Sequence, residues 1–178
     1  MADPTGAGPG DEQAAVVEID PMVFRKVLGH FPTGVTVVTA HDEGRPVGLA
    51  VGSFFSVSLD PPLVGFCVSN ASSTWPIIER AGAFGVSILA DDQHEVSNQF
   101  ASKSDDKFAG LGWEGAPVTG SPLLHGAMAH LDCELENQFP GGDHVIVIGR
   151  VRALEVRRED TGSLVYFKGG YGRHDPLD

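Results

Sequence analysis

No apolar run in this chain of 178 residues approaches the roughly 18 needed to cross a bilayer as a helix, and the N-terminus lacks a basic segment leading into an apolar one. A soluble, cytoplasmic protein is the expectation. Cysteine is almost absent: Cys67 and Cys133 each sit inside an apolar run, in no C-x-x-C or Cys/His spacing. That argues against a disulfide scaffold or a thiol redox motif, and both read as buried, reduced side chains. Positive charge is scarce too, with 12 basic against 24 acidic residues and a formal net charge of -12, a balance that repels phosphate backbones and argues against a nucleic-acid partner.

Familiar catalytic signatures are also missing. There is no G-x-S-x-G elbow, no H-E-x-x-H, no P-loop and no G-x-G-x-x-G opening a helix; Gly6 and Gly8 lie in an N-terminal stretch with no strand before them. His125 and His130 straddle a loop-to-strand junction, where two side chains do not converge as they would on a helix face, so no metal site is expected. Internal repeats and a regular βαβ alternation are absent, which disfavours a doubly wound parallel sheet.

The length allows one domain with its own core. Residues 1–17, rich in Gly, Pro, Ala and acidic side chains, read as a flexible acidic tail, and residues 18–178 as the folded domain. Asp20-Pro21 starts a helix, with Val23, Phe24, Val27, Leu28 and Phe31 on one face. From Gly34 the pattern changes to strand: VTVVTAH, the turn DEGRP, then PVGLAVGSFFSVS as the second arm of a hairpin, closed by Asp60-Pro61-Pro62. LVGFCV is a short buried strand, WPIIERAG a short helix and AFGVSILA a further strand. Asp92 and Glu95 have capping-box spacing before another short helix. A long loop over SKSDDKFAGLGWEGAPVTGSP precedes two long strands, AMAHLDCELENQF and HVIVIGRVRALEVR, joined by the turn Pro140–Asp143; SLVYF is the last strand. Six or seven strands joined mostly by hairpins, with three short helices, predict a mainly β fold, an antiparallel barrel with peripheral helices.

The stretch Pro46 to Pro62, PVGLAVGSFFSVSLDPP, carries small residues and hydroxyls where a core strand would carry large side chains. It reads as one strand lying against a flat cofactor, with Gly48, Ala50 and Gly52 allowing close approach. Ser69, Asn70, Ser72, Ser73 and Thr74 precede a helix, and Ser102, Lys103, Ser104 and Lys107 follow another. Hydroxyls and N–H groups at a helix start with a lysine nearby can hold a phosphate; the alternative is ordinary loop serines and helix caps. Phe54, Phe55, Phe66 and Phe84, within strands, read as core or subunit interface.

The segment FPTGVTVVTAHDEGRPVGLAVGSFFSVSLDPPLVGFCVSNASSTWPIIERAGAFGVSILADDQ resembles the front half of the flavin reductase domain, an FMN-binding split barrel. FASKSDDKFAGLGW, GSPLLHGAMAHLDCELE, GGDHVIVIGRV and LVYFKGGYG are similar to its later motifs, in the same order. The resemblance implies a homodimeric NAD(P)H:flavin oxidoreductase that passes reduced flavin to a separate monooxygenase. By motif, the isoalloxazine is expected along Pro46, Val47, Gly48, Leu49 and Ala50 with Gly52 and Ser53, and against Cys67, Val68 and Ser69. Ser73, Thr74, Gln99, Phe100 and Lys103 are expected at the ribityl phosphate. The nicotinamide nucleotide is expected at Phe167, Lys168, Gly169, Gly170 and Tyr171.

His144 of the GGDH turn is the titratable candidate for catalysis, at the carboxamide or near flavin N1; its other reading is a cap on the hairpin. Gly52 departs from the family pattern by lacking a side-chain amide toward the ring. The VGLAVGSF and GGDH versions point to FAD, with FMN possible, and the lack of an arginine cluster near Lys168 and Arg173 points to NADH. A flavin carrier without turnover, or a barrel binding another small molecule, is the alternative.

Overall fold

The computed structural model describes residues 18–174 and Leu177, so the tail expected over 1–17 lies outside the described residues. Helix α1 (Pro21–Leu28) starts where the caps predict, with the Asp20 carboxylate accepting the Met22 N–H at 2.6 Å and proline in the first turn. A short β1 (Thr33–Gly34) leads into the hairpin β2 (Thr36–Asp42) and β3 (Arg45–Val51), whose turn uses Glu43 and Gly44 at positive φ. The chain continues through β4 (Phe55–Leu59), β5 (Pro62–Ser69), α2 (Trp75–Ala81), β6 (Ala83–Ile88) and α3 (His94–Ala101). After a long connection come β7 (Trp113–Gly115), β8 (Pro122–Leu124), the long pair β9 (Ala129–Gly141) and β10 (His144–Val156), then β11 (Leu164–Phe167) and β12 (Gly170–Arg173).

Seven strands form one antiparallel sheet in the order β3-β2-β6-β9-β10-β5-β4; β1-β11-β12 and β7-β8 form two smaller ones. Strands β3 and β4, consecutive in sequence, are therefore the two outer strands of the main sheet. The stretch Pro46–Pro62 is not one strand, as expected, but two, interrupted at Gly52, Ser53 and Phe54. The cause is local. The Ser53 hydroxyl accepts from the Cys67 N–H at 2.8 Å and donates to the Cys67 carbonyl at 3.1 Å, which turns the chain from one outer strand to the other.

Both faces of the sheet are apolar at its centre. Val38 and Ala40 of β2 join Phe66, Phe84, Val147 and the α2 residues Trp75 and Ile78 in one cluster; Val37 joins Leu89, Phe100, Phe108 and Leu164 in a second, under α3. Phe66 packs edge-on to Trp75 and Phe84, with centroids 5.7 and 5.5 Å away. Phe66 and Phe84 are core, as expected, Phe54 packs against the same cluster, and Phe55 is 44% exposed. Cys133 is buried and its thiol is pushed up to about 12 by that burial; Cys67 is only half-buried, against expectation, because it sits beside the break in the sheet.

Three further expectations are corrected. Asp92 does not cap α3: its carboxylate pairs with Arg158 at 3.0–3.1 Å, which lowers its pKa, and Gln93 occupies the cap position. The long loop hides β7, which pairs with β8. The glycine-rich end of the chain forms β12, folded back on β11 through Lys168 and Gly169 at positive φ.

Candidate functional site

Strand β3, the turn after β5 and the C-terminal end of α3 enclose a cleft of about 410 Å³. Leu49 and Ala50 give it an apolar wall, Ser72 and Ser73 a hydroxyl-bearing one, and Lys103 and Lys107 two ammonium groups. Of the residues expected around the ring and phosphate, Leu49, Ala50, Ser73, Phe100 and Lys103 line it together.

The small residues of β3 have partners inside the fold. A Cβ on Gly48 would come within 2.7 Å of the Phe100 ring, so this glycine lets β3 close on α3. Phe100 is itself fully buried, edge-on to Phe108 at 5.0 Å, and presents to the cleft what its core position leaves. At Gly52 a Cβ would lie 3.1 Å from Thr33 Oγ1. Pro46 and Val47 lie further back on β3, opposite His41 and Ala40. Val68 points into the core, Cys67 is tied through its backbone to Ser53, and Ser69 Oγ accepts the Ala71 N–H at 3.2 Å. Thr74 precedes α2 without a side-chain cap; Ser72 Oγ accepts the Trp75 N–H instead.

Gln99 acts by positioning. Its amide donates to the carbonyls of Lys107 at 3.0 Å and Ala109 at 2.9 Å, which holds this segment against α3. Lys107 in turn donates from Nζ to the Phe100 carbonyl at 2.9 Å, and partial burial lowers its pKa. Ala71 and Ala101 also line the cleft, and nothing in an alanine's chemistry marks it in a sequence.

Of the residues expected at the nucleotide, Tyr171 meets α3, and Lys168 and Gly169 lie at the tip of the β11–β12 hairpin beside α1. Tyr171 accepts from Ser97 Oγ at 2.9 Å and donates to Asn98 Oδ1 at 3.1 Å, fixing the β11–β12 hairpin to α3. Phe167 lies under the Lys168 ammonium, 5.0 Å from its ring centroid. The Lys168 N–H donates to the Gly29 carbonyl at 2.9 Å, so the hairpin tip meets the end of α1. Between them is an open cavity of about 720 Å³ whose lining includes Arg25, Lys26, His30, Lys168 and Gly169. Gly170 opens β12 beside it.

His144 opens β10 opposite Ser69, at the base of the turn that borders the cleft. Its Nδ1 lies 2.7 Å from Asp143 Oδ1, and its side chain is 45% exposed. The His144 ring, and more distantly Arg25 of α1, hold the Asp143 carboxyl below the usual carboxylate range. The structure thus brings Leu49, Ala50, Ser73, Phe100 and Lys103 together at the cleft and places Lys168 and Gly169 at the separate cavity beside α1, while the remaining expected residues line neither.

The cleft suits a flat aromatic group with an anionic tail: apolar wall, hydroxyl donors, two cations. Residues 28–175 match the family model described as flavin reductase like domain. A flavin reductase of Pseudomonas putida is 52% identical over 155 residues, covering 86% of this chain and 90% of that protein. HsaB, the reductase subunit of a flavin-dependent monooxygenase from Rhodococcus jostii (strain RHA1), is 47% identical over 167 residues, covering 94% of this chain and 85% of its own. Among solved structures, the Streptomyces globisporus C-1027 NADH:FAD oxidoreductase SgcE6, in complex with NAD and FAD fragments, superposes with a TM-score of 0.83 at 37% identity, covering 88% of this chain and 94% of that one.

Proposed function

The chain belongs to the flavin reductase like domain family, and from that premise we propose that it is an NADH:flavin oxidoreductase that reduces free FAD, or FMN, and supplies it to a separate monooxygenase. The observation that carries this reading is the cleft, where Leu49 and Ala50 face Ser72, Ser73, Lys103 and Lys107. Its volume is within the ordinary range for a small-molecule site. Flavin, when bound, supplies the redox chemistry, accepting at N5 a hydride from nicotinamide C4.

The residues of the chain then have binding and orienting work. Leu49, Ala50 and the β3 backbone back the ring; Ser73, Lys103 and Lys107 hold the phosphate, with Gln99 fixing Lys107. The β11–β12 hairpin, with Phe167, Lys168, Gly169, Gly170 and Tyr171, meets the nicotinamide nucleotide. His144, oriented by Asp143, donates to the carboxamide or to the reduced ring. The open seven-stranded sheet is taken as a split barrel. A homodimer is part of the proposal, because α1 buries no side chain of its own.

The SgcE6 relative, named for NADH and FAD, supports that pairing. Arg25, Lys26 and Lys168 around the second cavity favour a phosphate-rich nucleotide, so NADPH is the reading tested against NADH. Steady-state assays with each nucleotide and each flavin rank the four pairings. Bleaching of the oxidised flavin band on rapid mixing with NADH is expected; no bleaching with either nucleotide makes the protein a flavin carrier. His144→Ala is expected to lower kcat/KM for NADH oxidation with flavin present, and an unchanged value removes the role.

A further inference from the structure

Strand β7 and the β9–β10 hairpin bring Glu114, His130 and Glu155 together, at a cavity that shares no lining residue with the cleft. His130 of β9 and Glu155 of β10 are direct cross-strand partners, so their side chains leave the ladder on one face. Glu114 comes from β7. One imidazole nitrogen and one oxygen from each carboxylate lie within 4.8 Å of one another. The three residues line a cavity of about 330 Å³ together with Asp132 and Arg157.

Burial of His130 makes this more than an acidic cluster. It is only 3% exposed, and its Nε2 lies 2.8 Å from the Leu124 carbonyl. A carbonyl only accepts, so Nε2 carries the proton and Nδ1 a lone pair. That Nδ1 is buried and without a partner. This ring shares its pocket with two carboxylates, so an unpaired acceptor lies among acceptors, an arrangement that favours a positive charge. A backbone carbonyl fixing one nitrogen of a histidine while the other is left to coordinate is also the usual outer shell of a metal-bound histidine.

Arg157 meets part of the need. Its Nη2 lies 3.0 Å from Glu114 Oε1 and its Nη1 2.8 Å from Glu155 Oε1, so each carboxylate keeps its second oxygen, and the guanidinium makes no hydrogen bond to His130. Asp132 is committed elsewhere, accepting from the N–H groups of Val118 and Thr119 and from the Thr119 hydroxyl.

We infer that Glu114, His130 and Glu155 form a site for one divalent transition cation, Zn²⁺ matching best a set of one imidazole nitrogen and two carboxylate oxygens with a fourth position for water. The ion ties β7 to the β9–β10 ladder. Arg157, 40% exposed, competes with it for the carboxylates and swings out when it binds.

The test is Zn²⁺ titration of the chelator-stripped, full-length protein against a fluorescent chelator. The wild type is expected to take up one equivalent. Glu114→Gln and Glu155→Gln, at half-exposed positions that leave folding intact, each weaken uptake by at least about tenfold, as loss of a ligand does. Arg157→Gln tightens it severalfold by removing a competing cation. A wild type that takes up no Zn²⁺, or the same affinity in all four proteins, overturns the site.

Discussion

Lys107 is shaped by its surroundings in a way that reaches the kinetics. Partial burial at the end of α3 lowers its pKa, and its charged form is the one that attracts phosphate. The sign follows directly: the attraction is complete at neutral pH and is lost as pH rises through the lowered pKa, before an ordinary lysine at about 10.4 would lose its proton. KM for FAD is therefore expected to climb in the alkaline range in the wild type. Lys107→Arg, whose guanidinium stays charged, holds KM level over the same range. A wild-type KM that stays flat to about pH 10 removes Lys107 from the phosphate site.

At the scale of elements, the β11–β12 hairpin depends on one phenol. Tyr171→Phe removes the hydrogen bonds to Ser97 and Asn98 together and frees the hairpin from α3. The expected cost is about 1–2 kcal/mol of stability, since these groups are partly solvated. KM for NADH rises severalfold while KM for FAD is little changed, and a rise in both equally points to general loosening. The hairpin also marks the limit of what the sequence shows. Helix α1, the β2–β3 hairpin and the β9–β10 pair were legible because capping residues, dense β-branching and a Pro-Gly-Gly-Asp turn are local signals. Strand β12 was not, because Gly-Tyr-Gly-Arg is strand only through pairing to β11. The site divides similarly. Ser73, Lys103 and Leu49 could be read from motifs; Gly48 looked like room for a ligand, and only the fold reveals the Phe100 ring that fills it.

The whole molecule leaves a helix without a core. Met22, Phe24, Val27 and Phe31 are each more than half exposed, and an eight-residue helix is marginal unless something packs on it. A second copy covering α1 is the proposed remedy. Light scattering on the eluting protein is expected to give about twice the 18.8 kDa of one chain. Charges at Phe24→Glu and Val27→Glu are expected to return it to one chain's mass, and a wild type already at that mass removes the dimer. No helix among the described residues is long and apolar enough to cross a membrane. The short joint at Gly52–Phe54, pinned by Ser53 to Cys67, bears on how the family can vary in length. The β4–β5 register is set by the tight turn between Leu59 and Pro62, so a residue gained or lost in the joint would have to be absorbed between Ser53, held at Cys67, and Phe55, paired opposite Gly65. The joint should therefore hold its length across the family, while the connection between α3 and β7, anchored by side chains rather than by a ladder, is where residues can be gained or lost.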